Sequence, residues 1–365
     1  MRWKGFFIEL TLAISVLAIF LAMSPETTYA HESWFVEEGK HPGERFTPGL
    51  INMLLVLGGI LFIVLALTIQ RAKWFHRINV AVDRATHSLP KGIEWRIVAV
   101  LSGIMLIANA IAGVFLAPEM VLPNSGLVFL GRIGQIAIGL LLVTQLSFSL
   151  AGLLILVVAV PLATIYFQAG FLIDYGIEFI AIGLAFIFVG LSQNCPDKVA
   201  RRVCRWMRQR PSNFAHLPLP IARIGLGLTF IALAIHYKLL NPNITLTFLD
   251  EYDLNFMRQL GFTGFTNLNF VFAAGIAEIT FGLLLAAGIA TRFVSAGLLM
   301  MLLTTLAIFG PVELIGHLPI VGIVLLLIYR GAGSYVLFPP KLGDVNYISA
   351  GQESSQSIAL QSFKR

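Results

Sequence analysis

Nine apolar runs, each near the roughly 20 residues a helix needs to cross a bilayer, leave this chain few ways to fold. Backbone in hydrocarbon has to satisfy its own hydrogen bonds, so runs of this length become helices that bundle. They read as residues 50–70, 97–116, 127–146, 149–168, 172–191, 221–240, 267–288, 293–309 and 311–330. Hydrophobic residues make up 57% of the 365 and charged residues 12%, too little charge to cover a soluble surface of that size. The fold class is an all-α, polytopic membrane protein whose first partner is the lipid bilayer.

The net charge of +6 does not point to nucleic acid, because its placement accounts for it. Arg71, Lys73, Arg77, Arg84 and Lys91 crowd one connection, and Lys198, Arg201, Arg202, Arg205, Arg208 and Arg210 crowd another. Such clusters mark the cytoplasmic side. The four runs between the two clusters put both on that side, and one run more or fewer would separate them. Cys195 and Cys204, the two cysteines, share the second basic connection with no Cys-x-x-Cys spacing, which reads as a pair of reduced, inert thiols.

The amino end has the layout of a secretory signal: Arg2 and Lys4, an apolar stretch over 6–22, then Thr28-Tyr29-Ala30 as a small-residue cleavage site. The signal is expected over residues 1–30, with an uncleaved first span as the alternative; both readings place residues 31–49 outside. Cleavage after Ala30 would leave His31 at the mature terminus, where amine and imidazole can chelate copper with His41 completing the brace. The other reading is that His31 merely follows the cleavage site while Trp34 and Phe35 rest on the membrane interface. A Ser- and Gln-rich tail, 334–365, is expected in the cytoplasm. The localisation that follows is a bacterial inner membrane, with the mature amino terminus outside and the carboxy terminus cytoplasmic.

Two stretches repeat one pattern. Arg96-Ile97 answers to Arg223-Ile224, and Leu116-Ala117-Pro118 to Leu240-Asn241-Pro242. Gln135-x-x-x-Gly139-Leu140-Leu141-Leu142 answers to Glu278-x-x-x-Gly282-Leu283-Leu284-Leu285, and Ala151-Gly152-Leu153-Leu154 to Ala296-Gly297-Leu298-Leu299. Each copy holds an even number of helices, so the copies run parallel rather than inverted. The expected organisation is a first four-helix unit over 96–191, a basic linker over 192–220 and a second unit over 221–333, preceded by the extra span 50–70. Glycines 134, 139, 152, 275, 282 and 297 are expected to let helices approach closely.

The second unit places His236, Lys238, Glu278 and His317 inside its apolar runs, whereas the aligned first unit has Ala112, Val114, Gln135 and Glu178 there. An ionisable group at membrane depth costs about 3 kcal/mol on insertion scales, so a bundle that can be built with fewer uses them for something. At about 1.5 Å per residue, Glu278 lies roughly 16 Å and His317 roughly 9 Å in from the outer end. Glu278, His317 and Lys238 are the candidate catalytic groups, and His236, Lys238 and His317 the candidate cofactor ligands. The bland alternative is a buried Lys238–Glu278 salt bridge with His317 bonded across the bundle. Arg132 either snorkels outward or pairs with Glu178.

Residues 221–333 resemble the DoxX family of small membrane proteins, which includes the DoxD subunit of thiosulfate:quinone oxidoreductase. The likeness rests on Arg223, Lys238, Glu278-x-x-x-Gly282-Leu283-Leu284, Thr291-Arg292 and Gly316-His317-Leu318-Pro319, and extends weakly over 96–190. It implies a four-helix membrane bundle linked to quinone-dependent redox chemistry or to membrane oxidoreductase complexes. The doubled unit and the added amino-terminal part depart from the family pattern.

Three functions stay open on the sequence. The first is a quinone-facing or accessory subunit of a membrane redox system, with membrane or periplasmic oxidoreductase subunits as partners. The second is a proton-coupled protein that binds or transports a small solute or a metal such as copper. The third is a non-catalytic assembly protein of a membrane complex.

Overall fold

The computed structural model describes residues 46, 49–87, 90, 92–118, 120–122, 125–192 and 214–338. The signal expected over 1–30, the candidate copper ligands His31 and His41, both cysteines and most of the expected basic linker lie outside these residues, as does the tail beyond 338. Among the described residues all regular structure is helical.

The helices are α1 (Leu50–Arg71), α2 (Lys73–His87), α3 (Ile93–Ala112), α4 (Ser125–Val143), α5 (Phe148–Phe167) and α6 (Leu172–Leu191). After the linker come α7 (Phe214–Leu240), α8 (Asn243–Tyr252), α9 (Asn267–Ala287), α10 (Thr291–Phe309) and α11 (Pro311–Arg330). Eight of the described helices are long and apolar enough to cross a membrane, and Ile315–Arg330 of α11 is a shorter apolar helix. The protein is a multi-pass, all-α membrane protein. Its outer faces are apolar: Leu54 and Leu61 on α1, Phe129 and Leu130 on α4, Ile165 on α5 and Met300 on α10 are all more than half exposed, as lipid contact requires.

Helix ends fall where local chemistry stops them. Gly113, in the left-handed region at φ 90°, closes α3 four residues before the expected end. Thr266 and Asn269 form a reciprocal capping box at the start of α9, and Gly288 closes it at φ 73°. Two connections between the expected spans are helices. The basic connection after α1 forms α2, whose Trp74 and Ile78 are exposed beside Lys73 and Arg77 while Phe75 is buried. The acidic connection after α7 forms α8, where Ile244, Leu246, Phe248 and Leu249 are buried.

Glycine decides how close the helices come. At the α3–α4 seam, a Cβ on Gly139 would lie 2.8 Å from the Gly103 carbonyl oxygen. At the α7–α9 seam, a Cβ on Gly282 would lie 2.6 Å from the Gly227 carbonyl oxygen. Gly152 and Gly183 make the corresponding approach between α5 and α6. Two of the glycines expected at seams do not serve there: Gly134 and Gly297 have nothing within 4 Å of an added Cβ. Gly322, the sequence counterpart of Gly183, packs against Val98 of α3 instead.

That last contact shows how the two sets of four helices join. The first helix of each set packs on the last of the other: α3 on α11, and α7 on α6, where Gly225 meets Ala181. One hydrophobic cluster runs through both sets, from Ala99, Leu142 and Phe186 to Leu226, Leu285 and Val324. The sets are therefore more intimately joined than two bundles lying side by side. The cause is small residues on the outer flanks of α6 and α7 as well as inside each set.

Candidate functional site

The last turns of α7, Ala234–Leu240, are π-helical, closed by the Asn241 amide donating to the His236 carbonyl at 3.0 Å. A π-helical turn widens the backbone and is often retained where side chains have to be re-aimed. Here it carries His236, Tyr237 and Lys238 in succession, toward two neighbouring helices.

Lys238 meets α9. Its Nζ is 3.2 Å from Glu278 Oε1, with side chains only 12% and 17% exposed. Gly275, one turn before Glu278, makes the approach feasible, because an added Cβ there would crowd Lys238 Cβ at 3.1 Å. Tyr237 meets α6. Its hydroxyl donates to Asp174 Oδ1 at 2.6 Å, and Asp174 itself sits in a π-helical stretch, Leu172–Gly176. His236 stands edge-on to the Tyr237 ring at 4.6 Å between centroids and is near enough to act electrostatically on the Asp174 carboxyl. The Tyr237 carbonyl is taken by the Thr245 hydroxyl of α8 at 3.2 Å.

Three helices thus bring Asp174, His236, Tyr237, Lys238 and Glu278 together. The pairing of Lys238 with Glu278, one of the readings open on the sequence, is present. Asp174 and Tyr237 are the residues that sequence reasoning passed over. The signal was there in part, since Asp174 is an acid inside an apolar run, four residues before Glu178. His317 is half-buried near the start of α11, between buried Ile315 and Leu318. The main neighbours of α11 are α3 and α10, whereas the Lys238–Glu278 pair spans α7 and α9. Among the described residues no group of three or more His, Cys, Asp or Glu could hold a metal ion.

Gln135, the residue the sequence pattern aligns with Glu278, lies in a neutral network. Gln135, 1% exposed, accepts from the Leu116 amide at 2.8 Å and donates to the Leu106 carbonyl at 2.8 Å. Asn109 donates to the Leu116 carbonyl at 2.7 Å. Together they hold Leu116 in the left-handed region, φ 61°, a costly place for a leucine. Gln135→Leu therefore strands the buried Leu116 amide, at about 1–3 kcal/mol, while the Leu106 carbonyl keeps its place in the α3 ladder. Thermal unfolding of the solubilised protein should show a clear drop. Arg132, one turn earlier, is exposed, with its guanidinium directly over Gly113, and the structure shows no pairing with the buried Glu178.

Arg223, on the same helix as the π segment but at its other end, is fully buried. It donates to the Leu285 carbonyl at 3.0 Å and to the Tyr335 carbonyl at 2.8 Å, so it caps the end of α9. The helix pair that carries the candidate site is held together at both ends.

No curated protein and no solved structure matches this chain. The DoxX family model matches residues 219–311, about a quarter of the length. The matched segment holds α7, α8, α9 and α10, with His236, Lys238 and Glu278 inside it and Asp174 and His317 outside. This chain is an integral, multi-pass membrane protein that carries a DoxX domain.

Proposed function

We propose that the protein is a quinone-facing accessory subunit of a membrane redox system and that the π-helical end of α7 is its working site. The observation that carries this reading is the pairing of two carboxyls, Asp174 and Glu278, with Tyr237 and Lys238 on one π-helical segment inside a membrane-spanning helix. A quinone needs an apolar slot and a donor for each carbonyl oxygen. Lys238 and His236 can donate on the α7 side, and His317 is assigned to the second carbonyl on its sequence position. Reduction to the quinol takes two electrons and two protons. A partner oxidoreductase of the membrane or periplasm supplies the electrons, and Glu278 and His236 pass the protons.

A specific observation favours a second reading, a non-catalytic assembly role. The first set builds the same corner from Gln135 and Asn109 alone, so a polar junction here also serves packing. Purification from native membranes followed by extraction of bound quinone separates the two. Quinone should co-purify at near one per chain and fall about tenfold in His236→Leu, a change of 1.4 kcal/mol. Wild-type protein free of quinone would leave the assembly reading.

Two further readings belong to the same proposal. The two sets of helices are parallel repeats, with units over 96–191 and 221–333, a reading supported by the shared Gly103–Gly139 and Gly227–Gly282 contacts. The chain lies in a bacterial inner membrane with both basic connections in the cytoplasm, supported by their charge. In a variant lacking Cys195 and Cys204, a cysteine at Asp250 should react with an impermeant thiol reagent in intact cells and one at Arg77 should not. The opposite labelling would invert the topology.

A further inference from the structure

At the end of the bundle opposite the π-helical segment, a cleft of about 820 Å³ opens between α1, α2 and the start of α10. Its walls include Arg71, Lys73, Arg77, Arg292 and Arg330, against one acid, Asp83. Two of these cations are committed. Arg292 donates to Asp83 and, at 2.9 Å, to Asn79 Oδ1, while Arg330 donates to the buried Glu94. Arg71, Lys73 and Arg77 are exposed and supply the surplus positive charge.

The floor of the cleft is the amino end of α10. That helix carries the partial positive charge of its aligned peptides there, and Ala290 in front of it has no side-chain oxygen to cap it. The Ala290 amide goes to Gln70 Oε1 at 2.7 Å, which ties α1 to the same point. Thr291, the first residue of the helix, lines the cleft and is 4% exposed, and its hydroxyl has no hydrogen-bond partner. A buried hydroxyl left unpaired costs free energy, and at a helix amino end beside surplus cations the group that would satisfy it is an anion with several acceptor oxygens.

We propose that this cleft binds the phosphate of an anionic ligand, seated on the amino end of α10 and the Thr291 hydroxyl and held by Lys73, Arg77 and Arg71. Two sources share that chemistry, an anionic phospholipid headgroup and a soluble phosphate. Lipid is the source that α2 suits. Trp74 and Ile78 are 53% and 50% exposed, one helical turn apart, and alternate with Lys73 and Arg77, the arrangement of a helix lying in a membrane interface. Basic pockets between membrane helices take phosphate headgroups in just this setting.

The test uses the full chain in a neutral detergent and follows thermal unfolding with added phosphatidylglycerol, phosphatidylcholine or inorganic phosphate. Phosphatidylglycerol should raise the midpoint by at least about 3 °C over phosphatidylcholine at equal mole fraction. That shift should be lost in Lys73→Gln/Arg77→Gln, which alters only exposed side chains, and in Thr291→Val, and should return in Thr291→Ser. The same shift from inorganic phosphate alone, lost in the same variants, supports the site and assigns it to a soluble ligand. Equal shifts with both lipids and none with phosphate, or an undiminished phosphatidylglycerol shift in the variants, would overturn the proposal.

Discussion

Glu278→Gln should lower the unfolding temperature of the solubilised protein sharply, and adding Lys238→Met should restore most of the loss. The two side chains sit 3.2 Å apart and are 12% and 17% exposed, so the single change takes a carboxylate away from an ammonium in a poorly solvated place. Breaking one partner of a buried pair costs about 3–5 kcal/mol, whereas removing both charges is often neutral. The residual exposure puts the expected loss toward the lower figure. Shape is not the cause, since glutamine fits the matching place in the first set as Gln135. Function should part from stability in the double variant. If the pair handles protons for a quinone, activity and quinone occupancy stay lost although the fold is recovered. Recovery of both would reduce the pair to a structural one and end the site hypothesis.

Gly282→Ala should disrupt the protein more than any other single methyl group added to a seam glycine on α9, and Gly297→Ala should do nothing measurable. An added Cβ at Gly282 would lie 2.6 Å from the Gly227 carbonyl oxygen and 2.7 Å from Ile231 Cγ1. The first contact is with backbone, which no rotamer change relieves, so α7 and α9 have to separate. Overpacking of this kind costs about 1–3 kcal/mol, and separating the two helices also stretches the Lys238–Glu278 contact. Gly297, its neighbour in the repeat pattern, has nothing within 4 Å. Yield of monodisperse protein and unfolding temperature, measured side by side for the two variants, give the contrast. Equal tolerance of both would mean that the α7–α9 seam is looser than its glycines imply.

The contrast between these two glycines also marks how far the sequence could be read. Both stand in the same Gly-Leu-Leu pattern, and nothing local distinguishes one that touches a backbone from one that faces open space. Which face of a helix meets a neighbour depends on the neighbour. The polar connections show the same limit. Residues 73–87 hold too much charge for a span, so they read as a loop, yet Phe75 turned inward and Tyr329 bonded to the Thr86 carbonyl make them a helix against the bundle. Asp174 and Tyr237 are 63 residues apart, and only the packing of α6 on α7 makes a pair of them.

What the sequence determined by itself is the set that solvation dictates: apolar runs of bilayer length have to become spanning helices, wherever their neighbours stand. It also offered the pairing of Lys238 with Glu278 as one of two readings, because a charge at that depth needs a partner, and the packing of α7 on α9 made it. Tertiary structure alone decided the rest. The crossed packing of α3 on α11 and α6 on α7, the π-helical turns that aim Tyr237 and Lys238 at different helices, and the basic cleft over Thr291 all arise from contacts between distant segments. In lipid such contacts gain little from the hydrophobic effect and follow shape and hydrogen bonding, which local composition does not encode.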